Sequence, residues 1–295
     1  IVIWKKFQEM EKIAMKKMKM TEAKMEAYRI YLMESEKSPS TIEKYLRDIR
    51  NFYQFLPEEK IIDREAVLLY KRQLIPKYQI SSANSMIIAV NGFLSFMGLE
   101  ELRVKVFKFQ RAMVSDPERE IQREEYIRLV EEAERMAKSR LSLILQTLGA
   151  TGIRISELVC ITREAVSSGR AAVNLKGKTR VVILPKRLRE KMEIYCRENQ
   201  IYSGPVFVTR GGKPVDRSNI WSEMKILCKT AGINEKKIFP HNLRHLFARI
   251  YYKNNHDIVY LADILGHSSV ETTRIYTSIS GFEHEKVLED MELII

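Results

Sequence analysis

Four short stretches carry the side chains that could do chemistry. Residues 265–277 read LGHSSVETTRIYT and place Tyr276 nine positions after His267. A tyrosine hydroxyl becomes a covalent nucleophile once its proton, held with an ordinary pKa of about 10, is drawn off by a base or by nearby cations. On one unbroken helix, nine steps of about 100° would set the two rings on opposite faces. Gly266 is a helix stop, however, and Ser268 with Glu271 reads as a capping box. The spacing therefore predicts a helix end, a turn and a new helix, which can return Tyr276 toward His267. In HNLRHLFAR, 241–249, His241 follows Pro240 and precedes Arg244 by three residues, so one helix aims both the same way. In TGIRISEL, 151–158, Glu157 stands one turn after Arg154, close enough to orient it. Each arginine offers a planar fork that can hold two oxygens of a phosphate at any physiological pH. The fourth stretch, NLKGKTRVVILP, 174–185, sets Lys176 and Lys178 on either side of Gly177.

The elements that must position these groups follow from periodicity and caps. Helical spacing predicts four helices in the first hundred residues: TEAKMEAYRIYLMES, SPSTIEKYLRDIRNFYQFL, DREAVLLYKRQLI and SSANSMIIAVNGFLSFMG. In the second, Ile42, Tyr45, Leu46, Ile49, Phe52 and Leu56 form a stripe that reads as core. LRVKVFKFQRAMVSDPERE turns polar around Pro117 and reads as a linker. Beyond it, helices are expected at 122–137, 140–151, 154–162, 186–198, 216–231, 241–254, 257–265 and 269–277. A hairpin is expected over 170–185 and a short strand at PVFVTR, 205–210.

Charge points to the partner. The chain of 295 residues carries 50 Lys+Arg against 38 Asp+Glu, a net +12. Between Arg163 and Lys253 there are 20 Lys/Arg and 7 Asp/Glu, or +13, whereas residues 281–295 hold one Lys and five acids, or −4. A basic body with an acidic tail fits a nucleic-acid surface beside a protein-docking segment better than uniform solubilising charge. Cys160, Cys196 and Cys228 are scattered without a CxxC pair, which supports neither a zinc site nor a disulfide framework. Lysines interrupt the opening IVIWKK before any apolar run reaches the length of a signal or membrane helix, so export is not expected.

Taken singly, each motif is commonplace. All four, in this order and with these gaps, resemble the tyrosine recombinases, the family of phage integrases and Xer-type recombinases, and the likeness runs from about residue 20 to near the end. The fold it implies is mainly α with a small β-hairpin in the second domain. The expected arrangement is a two-domain DNA clamp: an extension over 1–20, a helical core-binding domain over 21–104, a linker over 105–118, a mixed α/β catalytic domain over 119–280 and a docking tail over 281–295. The activity it implies is cutting and rejoining of DNA strands at a specific site through a 3′-phosphotyrosyl intermediate, with movement of a mobile element as the role. Xer-type chromosome dimer resolution, a type IB topoisomerase and a nonenzymatic DNA-binding regulator are the alternatives. The resemblance makes Arg154, Lys176, His241, Arg244, His267 and Tyr276 the catalytic set. His241 would serve proton transfer or phosphate contact, His267 would bond the scissile phosphate, and a hairpin lysine would be the acid for the leaving 5′-hydroxyl. The turn is one residue shorter than the commoner Xer pattern; Lys176 is the preferred acid and Lys178 remains open. His245, His256 and His284 match no family position and read as ordinary polar residues. The resemblance implies double-stranded DNA as partner, a tetramer on two DNA sites and no metal or cofactor; the scattered cysteines fit a reducing cytoplasm, and no membrane is expected.

Overall fold

The computed structural model describes residues 17–108, 119–175, 178–209, 211–267 and 269–276. The chain divides into two compact units, with the division between Arg111 and Ala112.

The first unit is helical because each helix has its start written locally. Thr21 caps α1 (Glu22–Glu34), Ser38 caps α2 (Pro39–Phe55) with Pro39 as first residue, and Asp63 caps α3 (Arg64–Leu74) by accepting from the Ala66 N–H. The fourth helix, α4, runs Ile80–Phe96. Two-residue strands β1 (Met18–Lys19) and β2 (Ile61–Ile62) pair antiparallel beside them. The expected stripe of α2 is the inward face: Leu46, Ile49, Phe52 and Leu56 are buried, with Ile42 and Tyr45 packed at the edge. Asn84 and Asn91, two turns apart on α4, act as a substitute strand edge for the chain that leaves this unit. The Asn91 amide bonds Val104 N at 3.0 Å and O at 2.7 Å, and the Asn84 amide bonds Phe107 N at 2.7 Å and O at 2.9 Å.

In the second unit α5 (Arg123–Arg135) and α6 (Ser139–Thr151) form the start of the core. α6 is mostly apolar, with Leu141, Leu143, Ile144, Leu145 and Leu148 all buried, and it becomes the central helix against which α5, α8 (Lys186–Glu198) and α10 (Pro240–Asn255) pack. The short α7 (Arg163–Ser168) leads into a hairpin, β3 (Arg170–Leu175) and β4 (Lys178–Ile183), registered Arg170 to Ile183 and Leu175 to Lys178. Val173 and Val182 point into the core; Val181 and Ile183 face solvent. α9 (Arg217–Ala231) and α11 (Ile258–Leu265) complete the unit. Among the described residues no helix is long and apolar enough to cross a membrane.

Three expected elements take other forms. The helix over 154–162 is a 3-10 helix, Ile155–Cys160, because Arg154 is extended and the Glu157 carboxylate reaches back to bond its N–H. The strand over 205–210 reduces to isolated bridges, Thr162 to Pro205 and Val208 to Pro214, since proline has no N–H to extend a ladder. The helix over 269–277 is replaced by two 3-10 turns, Val270–Thr272 and Arg274–Tyr276, with buried Thr273 between them. Ser269 makes the capping contact with the Glu271 N–H there, and Ser268 lies outside the described residues.

Candidate active site

The site is assembled where α6, α10 and α11 end or begin near one another. Arg244, on the first turns of α10, is the largest fully buried side chain in the described structure, at 1% exposure. Its guanidinium donates to Gly152 O at the end of α6 (2.5 Å), to Leu265 O at the end of α11 (2.6 Å) and to His267 Nε2 (2.9 Å). The two carbonyls belong to helix C-termini, where acceptors lack partners and a cation is favoured. Burial, then Arg154, pull the Arg244 pKa down to about 10, with Tyr276 opposing, so the group stays charged at neutral pH.

That contact decides the state of His267. An arginine only donates, so Nε2 is the accepting nitrogen, and Nδ1 carries the proton it gives to Thr273 Oγ1 at 2.8 Å. Burial, followed by Arg244, Arg154, Arg180 and His241, holds the His267 pKa down to about 4, which keeps the ring neutral. The expected return of Tyr276 is present: its ring stacks on His267 with centroids 5.9 Å apart and planes at 21°. Tyr276 is 3% exposed.

Arg154 stands at the mouth, its side chain 29% exposed, with Nη1 on Glu157 Oε1 at 2.9 Å and Nη2 near Gly266 O at 3.5 Å. His241 is exposed on α10, and desolvation followed by the charges of Arg244 and Arg154 holds its pKa below the usual value. Lys176 lies outside the described residues. Lys178 begins β4, and its side chain is likewise outside them, as is the tail over 281–295.

Two groups that sequence reasoning passed over complete the site. His245, read as an ordinary polar residue, meets the rings of His241 and Tyr276 edge to face, each at 4.7 Å. Burial, then His241, Arg249 and Arg244, push its pKa down to about 4. The signal was its place four residues after His241, one turn along the same face. Arg180 on β4 donates both Nη groups to Glu157, at 2.9 and 2.8 Å, and its Nε to Ile264 O at 3.2 Å. Its sign in the sequence was parity: residue 180 shares the inward face of the strand with Val182. Arg154 and Arg180 thus share one carboxylate, Glu157, and Arg244 stands close enough to feel both their charges, a net charge of +2 in a desolvated recess. Such a recess can hold a phosphate and neutralise added charge on it, with a tyrosine hydroxyl alongside.

Known proteins share both the sequence and the fold. The profile of the "Phage integrase family" matches residues 119–281, and that of "Phage integrase, N-terminal SAM-like domain" matches residues 25–101. The chain is 28% identical over 280 residues to "Tyrosine recombinase XerA" of Thermococcus kodakarensis, covering 92% of this chain and 95% of that one. It is 29% identical over 265 residues to "Tyrosine recombinase XerD" of Staphylococcus haemolyticus, covering 82% and 89%. Among solved structures, that of XerA recombinase superposes with a TM-score of 0.52 at 26% identity, covering 92% of this chain and 99% of the other. A lambda integrase dimer bound to a core site gives 0.69 at 17% identity over 87% and 94%, a likeness of fold.

Proposed function

The chain belongs to the phage integrase family, the tyrosine recombinases, and is a site-specific DNA recombinase that cuts and rejoins strands; from that premise we propose the roles of its residues. Tyr276 Oη attacks the scissile phosphorus. A phosphotyrosyl bond forms to the 3′ side, the bond from phosphorus to O5′ breaks, and the tyrosine proton leaves toward His241. Lys176 on the hairpin gives a proton to the departing O5′. The 5′-hydroxyl of another strand then attacks phosphorus and frees Tyr276. Arg154 and Arg244 neutralise the charge that gathers on the nonbridging oxygens, the largest single aid a protein can give such a step. His267 adds a hydrogen bond to the phosphate once Arg244 turns its fork to the oxygens and the ring proton moves from Nδ1 to Nε2, the Thr273 hydroxyl then donating to Nδ1.

One observation carries this reading: the Tyr276 ring lies face to face with His267, and His267 is bonded to the buried fork of Arg244. Nucleophile and cation are therefore held as one unit. A nicked duplex bearing the target site tests it, because the broken strand cannot rejoin and a catalyst becomes trapped on it. The wild-type chain should form an SDS-resistant adduct and Tyr276→Phe none; absence of the adduct from both would defeat the reading.

Around this chemistry we place the domain scheme of the sequence: extension 1–20, core-binding domain 21–104, linker 105–118, catalytic domain 119–280 and tail 281–295. Both domains bind duplex DNA in the cytoplasm, and four chains assemble on two sites, the acidic tail docking on a neighbour. The role is movement of a mobile element. A second reading, Xer-type resolution of chromosome dimers, is favoured by the likeness to XerA and XerD over most of the chain. Sequencing of DNA captured by Tyr276→Phe separates them, since element ends and a single chromosomal site give different maps.

A further inference from the structure

Glu157 is shared by two arginines, and that sharing has an electrostatic consequence. Oε1 accepts from Arg154 Nη1 and Arg180 Nη1, each at 2.9 Å. Oε2 accepts from Arg180 Nη2 at 2.8 Å and from the Arg154 N–H at 2.9 Å. Burial works to raise the carboxyl, but Arg180 and then the Arg154 N–H and side chain outweigh it and hold the pKa down to about 2. Glu157 is therefore an anion at every working pH. Paired with Arg154 alone, it would cancel the charge that Arg154 is to offer a phosphate. With two arginines on one carboxylate, a charge of +1 is left over.

The exposure of the two forks decides where that charge is felt. The Arg180 side chain is 14% exposed and that of Arg154 29%, and Arg180 spends Nε on Ile264 O as well as both Nη groups on Glu157. Arg180 stays on the protein side while Arg154 faces outward. We propose that Arg180 is a positioning residue for strand cleavage: by offsetting Glu157 it leaves the charge of Arg154 free for the scissile phosphate, and through Ile264 it steadies the turn that carries His267. This rests on the role given to Arg154 above.

The test is single-turnover cleavage of a nicked half-site by the full chain at saturating protein, set against half-site binding. Arg180→Met and Arg180→Lys both lose the fork, but lysine keeps the charge. Arg180→Met should slow cleavage by on the order of 10- to 100-fold, the usual cost of losing a group that orients a reacting residue. Arg180→Lys should recover roughly tenfold of that loss, and half-site binding should stay nearly level because many other phosphate contacts remain. The decisive arm adds Glu157→Gln to Arg180→Met: removing the anion that Arg180 offset should also restore about tenfold. A purely structural role predicts the reverse, since the double variant has fewer bonds than either parent. Equal slowing by Met and Lys, including through shared unfolding, or a double variant slower than Arg180→Met, would overturn the role of Arg180. A wild-type chain that forms no adduct would instead defeat the proposed function itself.

Discussion

Gly266→Ala separates two jobs that one glycine performs, with Gly232→Ala as an internal standard. Both glycines close a helix in the left-handed region with φ of 64°. A Cβ on Gly232 would meet nothing within 4 Å. Its substitution isolates the cost of the backbone conformation, about 1–2 kcal/mol for a residue with a side chain. A Cβ on Gly266 would lie 2.6 Å from Arg180 Cδ, 3.1 Å from Nε and 3.2 Å from Nη1, against an ordinary contact that starts at 3.4 Å, so the closest atom must move by 0.8 Å (3.4 minus 2.6). Arg180 cannot swing aside freely, because β4 holds one end and Glu157 and Ile264 hold the other. Losing one of those charge-assisted bonds costs about 1.5–3 kcal/mol beyond the conformational term. Urea unfolding should therefore show Gly266→Ala about 2.5–5 kcal/mol less stable than wild type and Gly232→Ala about 1–2. Only the first should slow cleavage beyond its effect on binding. Equal destabilisation by the two, within about 0.5 kcal/mol, with equal cleavage, would refute the packing of Arg180 against Gly266.

Arg244→Lys should cut cleavage by on the order of 10²- to 10³-fold while sparing half-site binding, since a single ammonium cannot span Gly152 O, Leu265 O and His267; parallel loss of binding and cleavage would count against it. His245→Ala removes two edge-to-face ring contacts and should destabilise by about 1–3 kcal/mol and slow cleavage, whereas His245→Phe should keep most of both; a phenylalanine variant as slow as the alanine one would show that the imidazole itself is needed. Acid should weaken the fold in two stages. His245 and His267 titrate near 4 folded against 6.5 unfolded, so between those values the unfolded chain binds more protons and stability falls as pH drops. Glu157, near 2 folded against 4.5 unfolded, contributes stability above 4.5 that is lost as pH falls toward 2. Melting temperatures level from pH 7 to 4 would contradict the first stage.

The elements were legible wherever the signal is local. The helix over 186–198 and the hairpin strands on either side of residues 176–177 fall where spacing and Gly177 place them, and Gly266 ends its helix in the left-handed conformation expected of it. Periodicity, caps and turn glycines act over a few residues, so a sequence window contains the whole cause. The family motifs were equally visible, because His241 and Arg244 share one helical turn and Glu157 follows Arg154 by three residues. What the sequence left open was decided by acceptors far along the chain. Arg244 reaches carbonyls 92 and 21 residues away, and Arg180 meets Glu157 across 23. The two carbonyls hold Arg244 in the interior, and its further contact with His267 fixes which nitrogen of that ring bears the proton. A buried guanidinium needs partners for its donors, and the partners of Arg244 come together only in three dimensions. The same holds for the last turns before Tyr276. Their residues read as an α-helix, yet Thr273 serves His267 in the interior, and the helix gives way to 3-10 turns that set Tyr276 beside His267.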